Sequence, residues 1–267
     1  MKSKYENTFS VIIPCYNSEN FISNAIQSVL NQTNEVEELI IVDDGSSDNS
    51  VKVIKDLFTK NRSRKTNLII IKNSHQGPGA ARNAGIKKAS SEWICFLDSD
   101  DYWEENKIEV VEKYIKKNKN INFLCHNEYV IKLNGVKKFS NYSKFYKYEI
   151  PLFDQIYYRN YFSTSAIVCK KKLLENNFFN TNLMSAQDYE LWIRASNKIN
   201  LFFVPEVLGY YVERKGNITS GNLYNRMINE VLIANMYKQK AGLKLFILRL
   251  TRIYISYIYY FIKRLIF

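Results

Sequence analysis

The sequence predicts an α/β fold: a mostly parallel sheet flanked by helices, followed by a helical tail. Between Phe9 and Leu97, short β-branched apolar runs alternate with segments whose apolar residues recur at helical spacing, the pattern of βαβ units on a parallel sheet. The chain has 267 residues, enough for one large α/β domain or a catalytic domain with an appendage. Its 46% apolar and 24% charged residues exclude a disordered or collagen-like chain. The end of the chain differs from the rest. From Ala241 onward five cations lie among Leu, Ile, Phe and Tyr, and no acid follows Glu230.

Each element follows from its residues. Phe9 to Pro14 (FSVIIP) reads as a buried strand, and Asn17 or Ser18 can cap the helix after it. In that helix Phe21, Ile22, Ala25, Ile26, Val29 and Leu30 share one face. Leu39 to Val42 is a second strand, broken by Asp43-Asp44-Gly45-Ser46-Ser47. Asp48 then caps a helix whose apolar side is Val51, Ile54, Leu57 and Phe58. Leu68 to Ile71 is the third strand, Ala80 to Ala89 the third helix and Trp93 to Leu97 the fourth strand. After Tyr102 the rhythm changes. A helix over about Glu105 to Lys117, a strand at Phe123 to Cys125 and a hairpin turn at Asn134-Gly135 are expected. Asn141 to Tyr161 carries few signals; Ala166 to Lys170 reads as a strand and Asp188 to Asn197 as a helix. The expected organisation is a first half of alternating strands and helices, 1–104, a second half of the same domain, 105–222, and the tail, 223–267.

Composition limits the classes of function. No uncharged apolar run reaches the roughly 18 residues of a spanning helix, and a polar start, Met1 to Thr8, does not read as a secretory signal, so a cytosolic core is expected. The formal charge is +12, but the tail carries five of the excess cations (Lys244, Arg249, Arg252, Lys263, Arg264), leaving +7 for the rest. That distribution, with no recognised motif, argues against nucleic acid as a partner. On a helical wheel the five cations span an arc of about 200° at 100° per residue, and the remainder is apolar. Two readings fit: a helix docked on the protein's own core, or one lying in the interface of an anionic membrane. The four cysteines form no CxxC pair and read as buried reduced thiols rather than zinc ligands.

In a parallel sheet the carboxyl ends of the strands share one edge, where ligands bind. Tyr16 and Asn17, Asp43 and Asp44, His75, and Asp98, Asp100 and Asp101 follow the four strands in turn. The Walker phosphate loop is absent. The stretch Gly77-Pro78-Gly79-Ala80-Ala81-Arg82 fails the dinucleotide fingerprint, because Arg82 stands where the third glycine belongs and the stretch follows the third strand. Three carboxylates in Asp98-Ser99-Asp100-Asp101 suit a hard cation such as Mg²⁺ or Mn²⁺, held by one or two carboxylates and nucleotide phosphates. Asp43 and Asp44 fit hydrogen bonding to a base or ribose, or a β-to-α turn. Arg82, at a helix start, fits a contact to a nucleotide or to Asp43/Asp44.

Four ordered motifs carry a resemblance: Ser10-Val11-Ile12-Ile13-Pro14-Cys15-Tyr16-Asn17, Ile41-Val42-Asp43-Asp44-Gly45-Ser46-Ser47-Asp48, Gly79-Ala80-Ala81-Arg82-Asn83-Ala84-Gly85 and Phe96-Leu97-Asp98-Ser99-Asp100-Asp101. Together the sequence resembles the family-two glycosyltransferases of GT-A fold, a Rossmann-like architecture, over about residues 8 to 220. The resemblance implies a nucleotide-sugar donor, a divalent metal and inversion at the anomeric carbon. By position, Pro14, Tyr16 and Asp44 line the nucleoside, Asp98 approaches the ribose or a metal-bound water, and Asp100 is the main metal ligand. The family's later Glu-Asp pair corresponds to Gln187-Asp188, which makes Asp188 the catalytic base. Many relatives carry a His near Tyr210 to Thr219, and this sequence has none there. Arg214 and Lys215 are read as diphosphate contacts or as ordinary surface charges.

The expectation is therefore an inverting, metal-dependent hexosyl- or N-acetylhexosaminyltransferase using Mn²⁺ or Mg²⁺ and a nucleotide-sugar donor, with UDP as the expected nucleotide. Its acceptor is a glycan or lipid-linked saccharide, as in capsule or O-antigen assembly. It lies on the cytoplasmic face of the membrane, bound through the tail. A nucleotidyltransferase acting on a sugar phosphate, or a non-catalytic nucleotide-sugar-binding protein, are the alternatives.

Overall fold

The structure, a computed structural model, describes residues 7–61, 65–183, 185–214 and 223–266. The elements expected before Tyr102 all form. They are β1 (Phe9–Cys15), α1 (Ile22–Leu30), β2 (Glu38–Asp43), α2 (Ser50–Lys60), β3 (Asn67–Lys72), α3 (Pro78–Lys88) and β4 (Trp93–Phe96). Then follow β5 (Tyr102–Trp103), α4 (Lys107–Lys117), β6 (Phe123–Ile131), β7 (Lys137–Ser140), α5 (Leu152–Tyr158), β8 (Ile167–Lys170), α6 (Lys171–Leu174), α7 (Gln187–Ala195) and β9 (Leu201–Val212). The chain closes with α8 (Leu223–Met236) and α9 (Lys238–Ile266).

The nine described strands join one sheet in the order β3-β2-β1-β4-β8-β6-β9-β5, with β7 pairing Glu128 to Ile131 of β6, beyond the stretch that pairs with β8. The first four strands are mutually parallel, as their βαβ connections require. From β8 onward the sheet is mixed: β8 runs antiparallel to both β4 and β6, β7 to β6 and β5 to β9, while β6 and β9 are parallel. Successive residues of β1 face opposite layers. Ile12 packs with Ala81 and Ile86 of α3 and Trp192 of α7, whereas Val11 and Ile13 pack with Ile22 and Ile26 of α1 and Val111 of α4. Gly85 makes the first layer possible, because a Cβ there would collide with the Ile12 side chain.

One local expectation is corrected. Neither Asn17 nor Ser18 caps α1 with its side chain. The Ser18 carbonyl accepts the Phe21 and Ile22 amides, both at 2.9 Å, and its hydroxyl joins Ser99 at 2.8 Å. The Asn17 amide oxygen instead receives the Ser47 N–H at 2.8 Å. Both side chains are used to tie the loops after β1, β2 and β4 together. The expected turn at Asn134-Gly135 does form, with Gly135 at φ 79 joining β6 to β7. The four cysteines are free and buried.

The tail is helical and half of it docks. Gly242, at φ 75 and ψ 162, breaks α9 near its start, a conformation that glycine adopts without steric cost. Beyond it Phe246, Arg249 and Ile253 are buried. Arg249 is 1% exposed and lies 4.5 Å from the Tyr157 ring centre and 4.9 Å from that of Tyr189. Arg249 therefore does not share an outward cationic face: it points between Tyr157 of α5 and Tyr189 of α7. Along the rest of α9, Leu243, Ile247, Ile255, Ile258 and Phe261 remain exposed. No described helix is long and apolar enough to cross a membrane.

Candidate active site

The loops after β1, β2, β3 and β4 open into one cavity of about 980 Å³. Pro14, Tyr16, Asp44, His75, Arg82, Asp98, Asp100, Asp188 and Arg214 all line it, so most residues singled out in the sequence meet there. Asp43 does not. Its side chain turns back into its own loop and accepts the Ser46 N–H at 3.2 Å, which corrects its reading as a nucleotide contact and favours the β-to-α turn. Lys215 lies outside the described residues.

The end of the cavity beside Tyr16 is built by backbone geometry. Tyr16 is 44% exposed and stacks on His75, ring centres 4.0 Å apart. His75 holds a left-handed backbone, φ 51, which turns the chain so that Asp44 receives two backbone donors, Gln76 at 3.0 Å and Gly77 at 2.7 Å. The Asp44 carboxylate thereby fixes the start of α3. Arg82, one turn into α3, is buried and pairs with Asp98 rather than with Asp43 or Asp44. That corrects one of its two expected contacts: α3 packs on β1 and β2, and the guanidinium reaches the acidic loop after β4.

The acidic loop divides its three carboxylates. Asp101 faces inward, 1% exposed, accepting the Ser165 hydroxyl at 2.6 Å and the Val212 N–H at 2.9 Å. Burial, then the neighbouring charges of Asp100, Asp98 and Glu128, push its carboxyl well above the ordinary range. Asp98 and Asp100 face the cavity. Arg214 donates to Asp100 at 2.5 Å and lies 4.6 Å from the Phe21 ring centre, so it is not a loose surface charge. Even so, burial and then Asp98 raise the Asp100 carboxyl. This crowding of oxygen donors is what a hard cation relieves. Asp100 with Asp98 fits a metal whose other ligands are phosphates and waters. Among the described residues no cluster of three or more His, Cys, Asp or Glu side chains forms a closed protein site.

Across the cavity Asp188 occupies the first turn of α7. Ala186, left-handed at φ 58, precedes the helix, so Asp188 is not its cap. Thr164 donates to the Asp188 carboxylate at 3.2 Å. The helix dipole alone favours the ionised form, but burial dominates and raises its pKa, with Arg82 pulling it back. A carboxylate whose pKa is raised is a stronger proton acceptor than an ordinary one. Gln187 donates to the Leu183 carbonyl at 2.7 Å and packs under Gly79, a structural task.

Sequence reasoning missed the residues that join the two sides. Thr164 and Ser165 form a short turn before β8. Ser165 also accepts the Asp98 N–H at 3.1 Å, and its carbonyl receives Trp103 Nε1 at 3.1 Å and Lys107 Nζ at 3.0 Å. Lys107 is fully buried over the Trp103 ring, 3.5 Å from its centre, and burial lowers its pKa to about 7. The only sequence signal was a lysine on the apolar side of the helix after the acidic loop. Arg226 and Glu230 of α8 and Arg252 of α9 also line the cavity, so the tail forms one of its walls.

This sheet, with an acidic loop ending β4 and a carboxylate on a later helix facing it, is that of a GT-A fold. The family model described as "Glycosyl transferase family 2" matches residues 10–176. The chain belongs to that family. It is 32% identical over 213 residues to an uncharacterized glycosyltransferase of Rickettsia bellii, covering 80% of this chain but only 30% of that relative's length. It is 35% identical over 196 residues to the Escherichia coli UDP-Glc:alpha-D-GlcNAc-diphosphoundecaprenol beta-1,3-glucosyltransferase WfgD, covering 72% of this chain and 71% of WfgD. Among solved structures, residues 1–349 of S. aureus TarS superpose with a TM-score of 0.67 at 26% identity, covering 85% of this chain and 64% of that one. A Pyrobaculum calidifontis mannosyltransferase has a TM-score of 0.66 at 16% identity, a likeness of fold alone.

Proposed function

We propose that the protein is an inverting glycosyltransferase that moves a sugar from a nucleotide-sugar donor, UDP-linked, to a hydroxyl of a glycan or lipid-linked saccharide at a membrane surface. The observation that carries the proposal is that one cavity is lined by both the Asp98–Asp100 loop and Asp188. Inversion needs a base on the acceptor side and charge stabilisation on the leaving-group side. Tyr16 and His75 offer a stacking platform for the base, Pro14 and Asp44 border the nucleoside, and Asp98 approaches the ribose. Asp100 would hold Mn²⁺ or Mg²⁺, which supplies Lewis-acid stabilisation of the departing diphosphate. Arg214 stands beside that position as a second cation for the phosphates. Asp188 takes the proton from the attacking hydroxyl, with Thr164 orienting its carboxylate.

Relatives support this reading by what their names state. WfgD is named as a UDP-Glc-dependent transferase acting on a diphosphoundecaprenol-linked saccharide, and TarS is described in complex with UDP-GlcNAc. The test is a donor panel of UDP-, GDP- and dTDP-sugars with Mn²⁺ or Mg²⁺, scoring free nucleotide. UDP release by the wild type is expected. With an accepted acceptor, Asp188→Asn should lower transfer about 10²-fold or more while still binding UDP. No turnover of any donor by the wild type defeats the proposal.

A further inference from the structure

The donor chemistry leaves one wall of the cavity unused. Arg226 of α8 and Arg252 of α9 line it, beside Ser185 and Asn160, and Glu230 is the acid the two helices bring to it. The Tyr257 hydroxyl donates to that carboxylate at 2.8 Å. Arg252 donates through Nη1 to the Tyr158 carbonyl at 3.0 Å. A guanidinium has five N–H donors in a planar fork that suits phosphate oxygens, and this contact uses one of them.

Among the described residues, the same helices carry the largest set of exposed apolar side chains. On α9, Leu243, Ile255, Ile258 and Phe261 are each 58–65% exposed, and on α8 Leu232 and Met236 are exposed as well. Exposed apolar surface of this extent marks a contact with a partner or a membrane. Arginines on the cavity side and hydrocarbon on the outer side describe one kind of ligand: an anionic head joined to a long apolar chain. A nucleotide has the head without the chain. A neutral glycan has neither.

We propose that α8 and α9 form a subsite for the diphosphate of a lipid-linked acceptor, with Arg226 and Arg252 as its cationic ligands and the lipid leaving along the outer face of α9. This rests on the glycosyltransferase reading above and assigns the acceptor's anionic group a place in the same cavity. It also gives the tail a role at the site beyond anchoring.

The test uses the full chain, loaded with UDP and Mn²⁺ so that the donor side is filled. Farnesyl diphosphate, farnesol and inorganic pyrophosphate are titrated by calorimetry. Farnesyl diphosphate is expected to bind at least about tenfold more tightly than either fragment. Arg226→Gln and Arg252→Gln should each weaken it about tenfold, the worth of a charge-assisted contact. The charge-keeping Arg226→Lys and Arg252→Lys should lose less, and Lys138→Gln, on the exposed β7, should lose nothing. Pyrophosphate binding as tightly as farnesyl diphosphate removes the lipid from the proposal; farnesol doing so removes the diphosphate. Wild-type affinity in a folded double Gln variant overturns the subsite. Donor hydrolysis without farnesyl diphosphate binding sinks the subsite alone, whereas binding without hydrolysis of any donor sinks the glycosyltransferase reading.

Discussion

Thr164 donates a hydrogen bond to the carboxylate of Asp188 at 3.2 Å. The next residue, Ser165, donates to Asp101 at 2.6 Å and accepts the Asp98 N–H at 3.1 Å. Two adjacent hydroxyls therefore tie the candidate base on α7 to the acidic loop after β4, and a single short turn sets the position of one side relative to the other. That link makes the properties of Asp188 testable through its partner.

Thr164→Val keeps the shape and removes the donor. Burial already raises the Asp188 pKa, and the Thr164 hydrogen bond counters it by favouring the ionised form. Without that bond the pKa rises further, and a base must be ionised to act. The acid limb of the transfer-rate profile should move to higher pH, with a larger loss at acidic than at alkaline pH. A pH–rate profile with an unmoved acid limb would detach Asp188 from the rate.

Asp100→Ala tests the cation. The variant removes the carboxylate that fits the metal and also releases Arg214, its partner at 2.5 Å. Mn²⁺ binding in the presence of UDP, followed by the free-ion EPR signal, should weaken sharply, and turnover should fall about 10²-fold or more. If Asp100→Ala binds Mn²⁺ as the wild type does, the metal is held elsewhere.

Lys107 offers a stability signature. Its pKa is about 7 in the folded chain because burial penalises the charge, against about 10.4 in an unfolded one. Between those values the unfolded state binds the extra proton, so this residue's contribution to stability rises as pH increases from about 7 to about 10.4 and is flat below. Lys107→Met abolishes that slope. Melting temperatures of the two proteins, compared from pH 7 to pH 10, should shift in the wild type's favour as pH rises. A constant difference across that range would mean that Lys107 stays charged in the fold.

Much of this was legible in the sequence, and what was not has physical causes. β1 to β4 are short β-branched runs bounded by turn residues, and the loops after them carry residue types that make sense only together. The division of the acidic loop was not readable, because which carboxylate turns inward depends on Ser165 and Val212, 64 and 111 residues away from Asp101. β9 escaped notice because Pro205 and Gly209 interrupt its pattern, and its pairing with β6 shifts register around Asn127. α5 lies in a Tyr- and Lys-rich stretch, and its burial comes from α7 and α9 rather than from its own periodicity. In the tail, the helical wheel put Arg249 on a cationic arc; Tyr157 and Tyr189, supplied by distant segments, draw it inward instead.

That rearrangement changes how the membrane proposal must be tested. Deleting the tail from Leu243 onward removes Phe246, Arg249 and Ile253 from the core and Arg252 from the cavity wall, so loss of lipid binding would be confounded with unfolding. The outer face gives a cleaner probe. Ile255 and Ile258 are 63% and 58% exposed, so Ile255→Asp with Ile258→Asp should leave the melting temperature close to that of the wild type. Each change removes an apolar side chain whose burial in lipid is worth about 1.5–3 kcal/mol and adds a charge that anionic lipid repels. Flotation with anionic liposomes should fall at least about tenfold. The cationic part of the wild type's binding should fade as salt shortens the screening length to about 3 Å at 1 M. Wild-type protein that stays at the bottom of the gradient at low salt, or a double variant that floats as well as the wild type, would leave the outer face of α9 without a membrane role.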